Sequence, residues 1–279
     1  MQVIWKRVGQ TPLQALEELR EQEGIAKDVP MTYAGRLDPL AEGKLLVLIG
    51  EECKQKQKYL GLDKEYEFEV LLGTSTDTGD VLGIVNRWPS DDHLSKLSNS
   101  ITKFFQGKYL CEYPAFSSKT VRNKDGIIKP LFLWALEGRL NEIELPKKQV
   151  EIYKLEHHCT NTMTCDEVLE SVLERIEKVQ RVNIEEDSKL LGQDFRREEV
   201  IQSWQNWRNK WTKSPLDHSQ ELQVMKFRCV CSSGTYMRTL ARDIAKELET
   251  EGLAWSIKRT KVGKYKKLFG QFGFWIKKY

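Results

Sequence analysis

No run of about 18 apolar residues occurs in the 279-residue chain, which excludes a membrane-spanning helix of ordinary length. Its first residues, Met1-Gln-Val-Ile-Trp-Lys6, lack the basic-then-apolar order of a secretory leader, so a cytoplasmic location is expected. Cysteine is sparse and scattered, and Cys53, Cys111, Cys159, Cys165, Cys229 and Cys231 form no disulfide framework. The grouping of His157, His158, Cys159 and Cys165 with Cys229 and Cys231 lacks the two-to-four spacing of zinc knuckles, so no metal is expected. Cys229 and Cys231, two apart, are expected on one face of a strand. Charge of one sign is not in excess either: 44 Lys+Arg against 41 Asp+Glu leave a net +3. Attraction for a polyanion must therefore come from how charge is distributed. There is no internal repeat, and the even strand-helix rhythm of a doubly wound fold is missing.

What is present is a globular composition, 40% hydrophobic and 30% charged, on a length that allows one large domain or two small ones. Residues 256–278 carry eight basic residues and no acid, whereas 166–187 are mainly acidic; this polarity suits a nucleic-acid face. Thr11-Pro12 with Gln14 predicts a capped helix carrying Leu13, Leu16 and Leu19. The apolar run 44–50 predicts a buried strand or a packed helix-to-strand joint, and the alternation Tyr66–Leu72 a half-buried strand. Helices are predicted from Ser90-Asp91 to Gly107, behind an Asp166 cap through Val179, from Val200 through Trp211 to a stop at Pro215, and over Thr239–Leu248. Leu222–Cys231 reads as a strand. Strands and helices mix irregularly, so the fold class is α+β.

Two loops combine glycine with charge. In Tyr33-Ala-Gly-Arg-Leu-Asp-Pro-Leu-Ala-Glu-Gly43 the residue before proline, Asp38, is pushed to an extended or turn backbone between glycines. In Cys231-Ser-Ser-Gly-Thr-Tyr-Met-Arg-Thr-Leu-Ala-Arg-Asp243 a strand end passes into a helix whose first turn holds Arg238. A guanidinium at the positive end of a helix dipole calls for an anionic partner.

Together, GRLDPLAEG at 35–43, KEYEFEVLLGTSTDTGDVLG at 64–83 and CSSGTYMRTLARD at 231–243 resemble, in order, the signature blocks of the TruB family of tRNA pseudouridine synthases. Weaker similarity runs from Lys6-Arg-Val-Gly-Gln-Thr-Pro12 to Ile257–Tyr265 and covers most of the chain. The resemblance implies a pseudouridine synthase catalytic fold over residues 1–279, with a mixed, mainly antiparallel central sheet flanked by helices. It implies isomerisation of the T-arm uridine of tRNA, position 55, without a cofactor; the chain is expected to act as a monomer. By the same resemblance Asp38 is the catalytic aspartate, either nucleophile or base towards the ribose. Tyr66 stacks on the uracil, and Arg238 pairs with Asp38, holding it bidentately and keeping it ionised. Extrusion of the target base would be supported by that stacking. Lys64, Lys119, Lys258 and Arg259, with Lys261, Lys264, Lys266 and Lys267, are candidates for phosphate contacts.

The chain departs from the family pattern in several places. Tyr33 stands where the family commonly has a histidine that helps hold the opened T-loop. Arg36 is more like the related RluA-type synthases. The end at Tyr279 leaves no room for a C-terminal PUA domain, and residues about 160–220 read as a helical insertion. That insertion, with its tryptophans at 204–211, or the basic tail, is expected to take over RNA contacts. The alternatives are a noncatalytic tRNA-binding or tRNA-folding protein on the same scaffold, and an RluA-like synthase acting on another RNA uridine. Asp77-Thr78-Gly79 also matches the aspartic-protease triplet, but no second triplet and no β-rich pattern accompany it.

Overall fold

A computed structural model describes residues 1–87, 100–179, 196–213, 221–268 and 272–279. In chain order it contains β1 (Gln2–Lys6), α1 (Pro12–Gln22), β2 (Met31–Ala34), β3 (Glu42–Ile49), α2 (Lys56–Leu60), β4 (Asp63–Leu72), β5 (Ser75–Thr76), β6 (Val85–Arg87), α3 (Ser100–Phe104) and β7 (Gly107–Glu112). The second half holds β8 (Thr120–Arg122), β9 (Ile128–Pro130), α4 (Leu131–Leu136), β10 (Lys147–Met163), α5 (Cys165–Lys178), α6 (Arg197–Lys213), β11 (Leu222–Cys231), α7 (Met237–Glu247), β12 (Gly252–Lys267) and β13 (Gly273–Lys278).

The central sheet runs β1-β3-β12-β4-β11-β10-β7, with β2 added on β3 and β13 on β12. Among the described strands of this sheet only β12 and β3 pair in parallel, with Lys258 opposite Glu42; their other pairings are antiparallel. The architecture is therefore the expected α+β, a mixed and mainly antiparallel sheet carrying helices. The apolar run at 44–50 resolves as strand β3.

Local chemistry accounts for the elements. Thr11 accepts the Gln14 amide N–H at 3.2 Å while the Gln14 side chain accepts that of Thr11 at 2.7 Å, and Pro12 at the first helical position loses no hydrogen bond. The N-cap of α5 lies two residues before the predicted one. Thr164, not Asp166, is the N-cap, because Glu167 three residues on can return a carboxylate to the Thr164 N–H. Asp166 lies in the first turn and pairs with Arg208.

Alternation on β4 divides the interior. Tyr66, Phe68, Val70 and Leu72 join Met225, Phe227, Cys229 and Cys231 of β11 and Leu240, Ala241 and Ile244 of α7 in one buried cluster. Cys229 and Cys231 thus share a face. Leu71, Val224 and Leu253 point the other way, into a second cluster closed by Val168 and Val172 of α5 and Val200, Trp204 and Trp207 of α6. Two of the tryptophans expected to meet RNA are therefore core residues: Trp204 and Trp207 are fully buried. The predicted helical positions 90–99, the stretch 181–193 and Pro215 lie outside the described residues. Among the described residues no helix is long and apolar enough to cross a membrane.

Candidate active site

Asp38 occupies the turn between β2 and β3, which closes with the Ala41 N–H on the Asp38 carbonyl at 3.0 Å. At Gly43, where φ is +116°, a Cβ would stand 2.3 Å from the Arg259 carbonyl oxygen. The parallel contact of β12 with β3 thus requires glycine there.

Two buried cations grip this turn. Lys6 donates to the carbonyls of Arg7, Pro39 and Ala41. Arg259, 1% exposed, donates from Nε to the Lys44 carbonyl at 2.7 Å, from Nη2 to Gly35 at 3.1 Å and from Nη1 to Arg36 at 3.3 Å. A single guanidinium therefore ties both arms of the Asp38 loop to β12. Burial pulls the Lys6 ammonium down from 10.5 to about 7, with the Asp38 charge opposing the shift.

Arg238 meets Asp38 across the sheet end. Its Nε lies 2.8 Å from Asp38 Oδ2 and 3.7 Å from Asp80 Oδ2. Its Nη1 donates to the Thr78 carbonyl at 2.8 Å and its Nη2 to that of Phe116 at 3.1 Å. The expected bidentate grip is corrected by this geometry. Two of the three guanidinium nitrogens are spent on backbone, and one faces the carboxylate as an ion pair whose N–H is not aligned for a hydrogen bond. The Arg238 side chain is 4% exposed and that of Asp38 36%, so the carboxylate is anchored from below and open above. Burial works against the Arg238 charge, but Asp38 and Asp80 together raise its pKa above the ordinary value.

Asp80 completes the set. Its Oδ1 accepts the Thr78 hydroxyl at 2.8 Å and the Leu82 N–H at 3.0 Å, so it caps its own loop, and burial raises its pKa against the pull of Arg238. Gly83 is required here, because a Cβ would fall 2.3 Å from Thr78 Oγ1. Tyr66 is 8% exposed and lies in the buried cluster that includes Leu37 and Met237, the sequence neighbours of Asp38 and Arg238. Burial pushes its hydroxyl up to about 12.

The remaining predicted residues separate. Tyr33 is half-buried on β2, with the Lys56 ammonium 5.6 Å from its ring centre, and Arg36 is exposed beside the Asp38 turn. Lys119 is exposed, its ammonium over the Tyr113 ring. Lys64 and Arg259 do not reach the surface that phosphate would require. Lys64 donates to the Leu60 and Leu62 carbonyls, and burial lowers it to about 8. Lys258 lies opposite Glu67 in register, on the sheet face away from Tyr66. It lines a cleft in which the carboxylates of Glu42, Glu67 and Glu69 balance its charge and those of Arg175 and Lys226. Lys261 pairs with Glu65 and Lys267 with Glu151 at 3.7 Å, whereas Lys264 and Lys266 are exposed. Sequence reasoning missed Lys6; its signal was an inward-facing lysine on an edge strand three residues before Gly9.

Residues 25–172, more than half of the chain, match the family described as TruB family pseudouridylate synthase (N terminal domain). A tRNA pseudouridine synthase B of Syntrophus aciditrophicus (strain SB) is 26% identical over 264 residues, covering 94% of this chain and 61% of the relative. That of Caldanaerobacter subterraneus subsp. tengcongensis is 27% identical over 263 residues, covering 94% and 68%. The chain thus spans 61% and 68% of the length of these two relatives. A chain in the crystal structure of a Cbf5-Nop10-Gar1 complex superposes with a TM-score of 0.49 at 15% identity, over 94% of this chain and 48% of that one. With its Asp38 turn and its Thr74–Gly83 loop both inside the matched region, this chain belongs to the TruB family of pseudouridylate synthases.

Proposed function

We propose that the chain isomerises the T-arm uridine of tRNA, position 55, to pseudouridine. The observation that carries this reading is the half-open Asp38 carboxylate, 2.8 Å from a buried Arg238 guanidinium whose other nitrogens are fixed to backbone. A carboxylate held so is preorganised and aimed, the condition for attack on, or proton removal from, a ribose presented above it.

The chemistry balances without a cofactor. The N1–C1′ glycosidic bond breaks, the uracil turns, a C5–C1′ bond forms, C5 loses its proton and N1 gains one, so no electrons enter or leave. Asp38 acts at the ribose as nucleophile or base. Tyr66, kept neutral by its raised pKa, offers its ring to the everted uracil. Arg238 holds Asp38 in place. Of the residues expected to meet RNA, Tyr33, Arg36, Lys119 and the exposed Lys264 and Lys266 remain available to it. We read residues 1–279 as one catalytic domain, with 160–220 as a helical insertion, acting as a monomer in the cytoplasm where tRNA is found.

Carbodiimide mapping of unmodified tRNA after incubation with the chain tests the reading. A new stop at the T-arm uridine supports it, binding without a stop favours the tRNA-folding protein, and a stop at another uridine favours the RluA-like reading.

A further inference from the structure

The loop that supplies the Thr78 carbonyl does not stand alone. α6 packs on it: the Val85 N–H donates to Ser203 Oγ at 2.8 Å and Trp204 Nε1 to the Val81 carbonyl at 3.1 Å. Val200, Trp204 and Trp207 share a buried cluster with Val81 and Val85. Arg196, immediately before α6, pairs with Asp77 Oδ2 at 2.6 Å and lays its guanidinium 4.5 Å from the centre of the Phe116 ring. Asp77 is itself fixed, since its Oδ1 accepts the Ile84 N–H at 2.9 Å.

These two partners of Arg196 adjoin the two carbonyls that aim Arg238. Asp77 precedes Thr78, whose carbonyl takes Nη1, and Phe116 itself supplies the carbonyl that takes Nη2. One guanidinium thus clamps, from outside, both backbone points that hold the other against Asp38. Arg196 does this with φ at +54°, left-handed backbone that an L side chain rarely adopts. Glycine would sit there more easily, yet arginine occupies the position.

We propose that Arg196 is a positioning residue for the Arg238–Asp38 pair, and that residues 196–213 serve the catalytic centre rather than clamp RNA. The proposal rests on the reading of Asp38 as the group that acts on uridine. Removal of the guanidinium lets the Thr78 and Phe116 carbonyls drift, and a displacement of about 1 Å at a reacting group is enough for a large loss of rate.

The test uses the full chain with Arg196→Gly, whose backbone suits the left-handed position, and Arg196→Lys, which keeps the charge opposite Asp77 but not the flat stack on Phe116. Arg196→Gly is expected to lower kcat on saturating tRNA ten-fold or more, with tRNA Kd within two-fold of the parent and Tm unchanged or raised. Arg196→Lys recovers part of the loss. Adding Asp77→Asn to Arg196→Gly costs little more, since the two act through one link. The NMR resonance of the Arg238 Nε–H shifts in Arg196→Gly. Unchanged kcat, a kcat loss that follows a fall in Tm, or weakened Kd with intact kcat overturns the proposal. An unshifted Arg238 resonance overturns it whether or not the parent turns over, whereas an inactive parent with a shifted resonance sinks only the functional reading.

Discussion

Replacing Arg238 with lysine keeps one positive charge and removes the geometry. In the structure three nitrogens serve three partners: Asp38 at 2.8 Å, the Thr78 carbonyl at 2.8 Å and the Phe116 carbonyl at 3.1 Å, with Asp80 behind at 3.7 Å. A lysine ammonium is one compact point and cannot span both carbonyls and the carboxylate. If it follows Asp38, two buried carbonyls are orphaned at about 1–3 kcal/mol each. Stability should fall by roughly 2–6 kcal/mol, which lowers Tm by roughly 4–24 °C for a chain of this size. If the ammonium follows the carbonyls instead, Asp38 loses its anchor, and a misplacement of about 1 Å costs on the order of 100-fold in turnover. In the first case the ammonium, cut off from the Thr78 and Phe116 carbonyls, no longer fixes the carboxylate either, so in both cases kcat on T-arm tRNA, measured by carbodiimide mapping over time well below the variant's Tm, should drop about 100-fold, with tRNA binding retained. A variant that turns over within about three-fold of the parent would refute the claim that geometry, not charge alone, holds the aspartate.

Three further outcomes follow from the same geometry. Gly43→Ala forces a Cβ against the Arg259 backbone at positive φ, so thermal melts should show a loss of at least about 2 kcal/mol; an unchanged melt would mean that the β3–β12 contact is looser than described. Tyr66→Phe should keep turnover within a few-fold while Tyr66→Leu loses roughly 5- to 150-fold, the value of about 1–3 kcal/mol of base stacking; equal activity of the two would remove the stacking role. Lys6 falls from 10.5 unfolded to about 7 folded because burial penalises its charge. The unfolded chain thus holds a proton that the folded chain gives up, and the stability of the parent relative to Lys6→Met should rise with pH between about 7 and 10.5. Lys64, lowered to about 8, acts in the same direction. Urea melts across that range check the slope, and a flat difference between parent and Lys6→Met would show that burial does not lower the Lys6 pKa.

Much of the fold could be read locally. The Thr11-Pro12-Gln14 start, the alternation of β4 and the apolar stripe of α5 are patterns of neighbouring residues, and the structure keeps them. Asp38 and Arg238 are each locally conspicuous, a carboxylate in a glycine turn and a guanidinium at a helix start, but their pairing was legible only through the family resemblance. What escaped was the set of buried cations. Arg259 lies in a basic run and reads as surface, but its acceptors are the Gly35, Arg36 and Lys44 carbonyls, more than two hundred residues away. Lys64 and Lys6 likewise end on carbonyls rather than on acids, so charge patterning carries no trace of their partners. The same holds for Trp204 and Trp207, whose burial depends on Val81, Val85 and α5. The number of bonds from Arg238 to Asp38 depends on where the Thr78 and Phe116 carbonyls lie, which only the tertiary structure fixes.

The central claim is that the Asp38 carboxylate does the chemistry. Release of tritium from tRNA carrying 5-tritiated uridine reads loss of the C5 proton directly. With Asp38→Asn, isosteric and still able to sit by Arg238, tRNA Kd and Tm should stay near the parent values while release falls to background even under single-turnover conditions. Tritium release by Asp38→Asn at a rate near that of the parent would contradict the account.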